Sequence, residues 1–149
     1  SNVSDSQLED LTITDMGSGM SFTNSKLKNI SYTSGQSLED IEEEAQYLHS
    51  EDPYYSNGAY LFVSLDNVEL IGDNTFMASI LDIDVNLAAT SEATTSIELE
   101  SRTESIELGD SLKALETTKV NGIVKISHAA KDAKGKLIIK NNQGTISLK

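Results

Sequence analysis

The sequence predicts a mostly β protein, an antiparallel sandwich of short strands that carries one acidic helix near its N-terminus. Segments with a two-residue apolar period recur along the chain, Gly, Asn and Asp clusters separate them, and convincing helical spacing occurs in one stretch alone. At 149 residues the chain has the length of one domain, and folding at that length buries roughly 70% of the surface that the unfolded chain exposes. The expected organisation is a frayed or tag-derived stretch over 1–10, followed by one domain over 11–149.

Leu11 to Met16 alternates apolar with polar or β-branched residues, and Gly17-Ser18-Gly19 ends it. A second candidate strand runs from Leu27 to Thr33. Ser37-Leu38-Glu39-Asp40 approximates a capping box, and Leu38, Ile41, Ala45 and Leu48 follow at helical spacing, which predicts a helix over 37–48 with acids in its first turns. Tyr60-Leu61-Phe62-Val63, apolar on both faces, predicts a central buried strand. From Thr75 to Leu87, Leu81, Ile83, Val85 and Leu87 fall on one face and Asp82, Asp84 and Asn86 on the other. With Asp73-Asn74 read as a turn, the two segments predict a hairpin. The small, Thr-rich stretch 88–96 reads as a long loop or a weakly ordered edge. Short β candidates follow at 96–99, 103–108, 120–127, 136–140 and 145–148, with turns at Gly109-Asp110 and over Asn141 to Gly144. No internal repeat at a solenoid or propeller period is found by inspection.

The formal charge is −13, from 24 acids against 11 bases. That balance argues against nucleic acid, whose binders neutralise phosphates with clustered Lys and Arg, and against anionic membrane surfaces. Residues 1–112 carry 22 acids against Lys26, Lys28 and Arg102 (−19), and residues 113–149 carry eight Lys against Glu116 and Asp132 (+6). The two parts are expected to pack and partly neutralise one another. Absence of cysteine removes disulfides, thiolate metal sites and thiol nucleophiles. No apolar run approaches the roughly 20 residues needed to span a bilayer. Ser1-Asn2 reads as a protease scar, which leaves open both a trimmed leader and a lipid anchor on an upstream cysteine.

Asp82-Ile83-Asp84-Val85-Asn86 matches the opening of a calcium loop, but Leu87 stands where such a loop needs Gly and Ala93 where it needs a bidentate Glu. The stretch therefore reads as a strand with one wet face, while a calcium site built from loop carboxylates such as Asp66 and Asp73 stays open. His49 and His128 have no Ser or acid partner at a triad spacing, and both read as end-of-element residues. No catalytic, cofactor or metal residues are assigned. Tyr54 and Tyr55, the only adjacent aromatic pair, sit between an acidic helix end and Gly58 and are the candidate partner contacts.

Two stretches resemble the immunoglobulin-like domain of Gram-positive surface lipoproteins of unknown function. The first runs from Thr75 to Leu87; the second joins Asn121 to Ser127 with Lys131 to Lys140. The likeness covers about residues 59–149. Ala130 stands where that family often has Pro, Ile126 where an aromatic is usual, and the acidic helix has no counterpart. The resemblance implies an immunoglobulin-like β-sandwich on a cell surface with no catalytic residues to carry over. The expected function is a non-catalytic, extracytoplasmic binding or structural module for a protein or cell-wall ligand, needing no cofactor. The alternative is a metal-dependent or carboxylate-based hydrolase built on acidic loops.

Overall fold

The computed structural model describes residues 1–15, 19–34, 60–92, 94–110, 112 and 115–149. The described residues are mostly β, and ten of the twelve strand ladders run parallel. The antiparallel immunoglobulin-like sandwich expected from the sequence is therefore replaced by stacked rungs. Alternation specifies which side chains face inward, and it is the same in parallel and antiparallel strands, so it carried no information about strand direction.

The first rung holds β1 (Asn2–Ser4), β2 (Gln7–Glu9) and β3 (Thr12–Asp15), and the second holds β4 (Gly19–Thr23), β5 (Lys26–Lys28) and β6 (Ser31–Ser34). Residues expected to be frayed thus form the first rung. Corresponding positions are 19 residues apart: Asn2 pairs with Ser21, Gln7 with Lys26 and Thr12 with Ser31. The chain does contain a solenoid repeat, contrary to the reading by inspection. Its third copy is displaced, since Gly19 pairs with Phe62, 43 positions on, and Ser31 with Thr75, 44 positions on. An insertion of 24 residues and then one extra residue account for the two offsets, 43 − 19 and 44 − 43.

That third rung lies within β7 (Tyr60–Leu87), which turns three corners instead of folding back on itself. Residues 62–66 stack on β4, 69–71 on β5 and 75–77 on β6. The hairpin expected around Asp73-Asn74 does not form, because Asn74 is fully buried and the corner is made by Gly72, at φ 64°. Beyond β7 come α1 (Ala89–Glu92), β8 (Thr95–Ser101), β9 (Ile106–Leu108), β10 (Thr117–Val120), β11 (Ile123–His128), β12 (Gly135–Gln143) and β13 (Ile146–Leu148). Within the stretch read as a loop or weakly ordered edge, 89–92 form α1 and Thr95 begins β8. Buried Ser91 anchors it, its hydroxyl accepting the Leu70 N–H at 3.2 Å and bonding Thr95 at 2.8 Å. The helix expected over 37–48 lies outside the described residues.

Corners are held by Asx residues in the left-handed region, where a short side chain that bonds locally is tolerated. Asp5, Asn24 and Asn67 stack at one corner with φ 51–54°; Asp10 and Asn29 stack at the next with φ 54–55°, followed by Gly72. Backbone N–H groups of these corners bond the adjoining rung, Asp5 to the Thr23 carbonyl (3.0 Å), Asn24 to that of Asp66 (3.0 Å), Asp10 to that of Lys28 (2.9 Å) and Asn29 to that of Ile71 (3.2 Å). Side chains bond as well: the Asn67 amide donates to Asn24 (2.8 Å) and the Asn29 amide to Asp10 (3.1 Å).

Inside, like positions stack into columns, among them Leu8–Leu27–Leu70 and Tyr32–Phe76–Ile139–Leu99–Ile126. Phe22, Tyr32 and Phe76 form the aromatic centre, with ring centroids 6.4 and 6.0 Å apart. Burying each such ring contributes roughly 1.5–3 kcal/mol. Leu81, Ile83, Val85 and Leu87 face inward as the alternation predicted.

Spatial order departs from chain order after β7. On the widest side the strands run β3, β6, β7, β12, β8, β11, β10, so that β12 lies between β7 and β8 and is parallel to both. The hairpin of β10 and β11, closed by Asn121-Gly122 with both residues at positive φ, is antiparallel and ends this side.

Candidate functional site

Alternation along the first segment of β7 turns Leu61 and Val63 into the core and leaves Tyr60 and Phe62 outside. The two outward rings are 45% and 44% exposed. The expectation of a strand buried on both faces fails here because this side of the solenoid has solvent beyond it, and the aromatic residues occupy the solvent positions. Tyr60 and Phe62 are two residues apart on one strand, so their Cα atoms lie about 6.6 Å from one another along a rigid support. Phe62 pairs with Gly19 of the neighbouring rung, whose missing side chain leaves the ring edge 3.6 Å from where a Cβ would stand. The Tyr60 hydroxyl donates to Asp82 Oδ2 at 2.5 Å, and this bond raises the phenol pKa above its ordinary value.

Asp82 is therefore a structural acceptor. Its other oxygen receives the Thr145 N–H at 2.6 Å and the Thr145 hydroxyl at 3.1 Å. Asp84 lies 3.9 Å from the Lys149 ammonium, and the Asn86 amide donates to Asp66 at 3.0 Å. Asp66 and Asp73 stand at different corners, on either side of residues 69–71. Among the described residues no group of three or more His, Asp or Glu side chains is placed to hold one metal ion.

His128 ends β11 and lines a cleft of about 330 Å³ with Asp73, Ser127, Lys134 and Lys136. A second, polar cleft of about 420 Å³ is bounded by Asp5, Gln7, Asn24, Lys26 and Glu69. The ion pairs nearby run between rungs: Lys28 to Glu9 at 2.9 Å and Lys26 to Glu69 at 3.9 Å. On the widest side, Lys136 meets Glu98 at 2.5 Å and Lys140 meets Glu100 at 4.0 Å, and at the hairpin Lys119 meets Glu104 at 2.9 Å. The Lys136 hydrogen bond holds the Glu98 carboxyl below its usual range against the opposing effect of burial, and the same bond raises Lys136. The basic C-terminal part does neutralise acids of the earlier part.

Tyr54 and Tyr55, the contacts expected from the sequence, and His49 lie outside the described residues. Sequence reasoning passed over Tyr60 and Phe62 because four consecutive apolar residues masked the alternation within them. No family model, no curated protein and no solved structure matches the chain. No described helix is long and apolar enough to cross a membrane.

Proposed function

We propose that this chain is a non-catalytic binding and structural module displayed outside the cytoplasm on a cell surface, where it contacts a cell-wall polymer through Tyr60 and Phe62. The observation that carries this reading is the pair of rings, nearly half exposed, at alternate positions of one strand. Exposed aromatic residues on a rigid scaffold offer large contact area at small cost in side-chain freedom, and their faces stack on sugar rings and other flat apolar surfaces. The hydrogen bond to Asp82 restrains the Tyr60 ring before any ligand arrives. Two stacking positions in line suit an extended polymer better than a small solute. The surface location rests on the acidic, cysteine-free composition. Co-sedimentation with insoluble peptidoglycan tests the reading. The wild-type protein is expected in the pellet, and the double substitution Tyr60→Ser, Phe62→Ser is expected to weaken retention at least tenfold while leaving the fold intact. Wild-type protein that stays in the supernatant, or a variant retained as well as wild type, would overturn it.

A further inference from the structure

The place of β12 in the stack has an unusual origin. It follows β8 in the chain, yet it separates β8 from β7, with Gly135 through Asn141 in register with 72–78 on one edge and with 95–101 on the other. β13 repeats the arrangement between 83–85 and β9. Residues 135–148 therefore enter a strand-wide slot whose two walls come earlier in the sequence. The β7 wall fits closely: a Cβ on Gly135 would lie 2.3 Å from the Leu70 carbonyl oxygen, and one on Gly144 would lie 2.3 Å from that of Leu81. Buried Asn141 is bound to both walls, its amide donating to the Leu81 carbonyl at 3.1 Å and its oxygen accepting the Ser101 hydroxyl.

The segment reaches the slot by a hook. β11 lies on the far edge of β8 and runs antiparallel to it; residues 129–134 then pass the start of β8 and deliver β12 to the near edge. Within the hook, Ala129 and 131–134 are exposed, and the Ala130 N–H bonds Ser96 Oγ at 3.1 Å and the Lys134 N–H bonds the Thr94 carbonyl at 2.9 Å. Charge follows the same division: β12 brings Lys136 and Lys140 to Glu98 and Glu100 of β8. A basic strand thus enters between strands of an acidic body.

We infer that the slot between β7 and β8 is an interaction site for a second copy of this chain, which fills it with its own residues 135–149 in a reciprocal strand exchange. Every ladder, ion pair and glycine fit described above is kept when the segment comes from another copy, and only the hook changes course. Opposite charge on the segment and on the slot assists the encounter. The copy's own segment is tethered at an effective concentration on the order of millimolar, so exchange competes when the protein refolds near that concentration or when the hook is too short to pass β8.

Absence of native cysteine makes the test direct. One full-length chain carries Thr75→Cys and a second, differently tagged, carries Ile138→Cys, positions that are register neighbours on β7 and β12. The two are unfolded together, refolded at about millimolar concentration and treated with a short bifunctional thiol reagent. Cross-linked heterodimer is expected in clear excess over a control pair in which exposed Asn86→Cys replaces Ile138→Cys, and is expected to decline on refolding at micromolar concentration. Deleting Lys131 and Asp132 removes about 7 Å of reach and is expected to yield dimers at micromolar concentration. Heterodimer no more abundant than in the control after co-refolding of the full-length chains overturns the inference, whether or not the shortened chain folds.

Discussion

The side-chain oxygen of Asn74 accepts the backbone N–H of Ile30 at 3.1 Å, and Asn74 has no exposed surface. Its amide donates to the Ile71 carbonyl at 3.1 Å and to that of Leu27 at 3.4 Å. The extra residue in the third rung opens the corner, and this carboxamide fills the opening with bonds. Asn74→Leu is expected to destabilise the protein by about 2–4 kcal/mol although Leu suits an apolar column, because a buried unpaired backbone group costs about 1–3 kcal/mol. Urea denaturation measures it, and a loss under about 1 kcal/mol would mean that water replaces the side chain.

Glycine positions should divide sharply. A Cβ at Gly135 meets backbone at 2.3 Å, whereas one at Gly19 meets nothing nearer than 3.6 Å. Gly135→Ala is expected to cost about 1–3 kcal/mol through forced backbone shifts, and Gly19→Ala less than about 0.5. Comparable losses at both sites would show that the slot around β12 yields more than its geometry indicates.

Along the last part of β7, Ile83→Ala and Val85→Ala should each cost about 2–4 kcal/mol, and Asp84→Ala under about 1. Asp82→Ala should cost more than Asp84→Ala, since three hydrogen bonds from Tyr60 and Thr145 depend on Asp82. Equal effects of the two aspartates would remove Asp82 from its structural role.

Alkaline stability should be governed by Tyr32. Burial, then its hydrogen bond to Asp15, raises its phenol pKa well above the ordinary value of 10.0. The folded state binds this proton more tightly than the unfolded chain. The resulting stability is complete below pH 10 and is lost as pH rises from there toward the raised value. Spectrophotometric titration should show one phenol that ionises only as the protein unfolds, and Tyr32→Phe should reduce that loss. A Tyr32 that titrates reversibly near pH 10 in the native protein would refute the assignment.

Glu98 runs the other way. Its carboxyl is held below 4.5 chiefly by the Lys136 hydrogen bond. Its contribution is present above that value and fades as pH falls through the lowered one. Thermal melts between pH 3 and 6 should show a smaller loss for Glu98→Gln than for wild type. Identical profiles would mean that solvent screens the pair fully.

β texture was legible in the sequence, as was the inward face of Leu81, Ile83, Val85 and Leu87. The repeat was not, because only three residue pairs are identical between the first two rungs, Ser6 with Ser25, Leu8 with Leu27 and Thr14 with Thr33, and the third copy is displaced. The usable signal was the spacing of corner residues, Asp5 and Asp10 against Asn24 and Asn29, each pair 19 apart. Asx marks turns of many kinds, so those positions alone read as ordinary turns. Asn121-Gly122 was a stronger hairpin signal than Asp73-Asn74. The exposed rings at 60 and 62 required knowing that their side of the sheet faces solvent, which no local pattern encodes.

The jump in pairing offset from 19 to 43 between β4 and β7 leaves register on both sides undisturbed. The corners at Asn24 and Asn29 before the jump, and at Asn67 and Gly72 after it, lie within the rungs whose alignment they set.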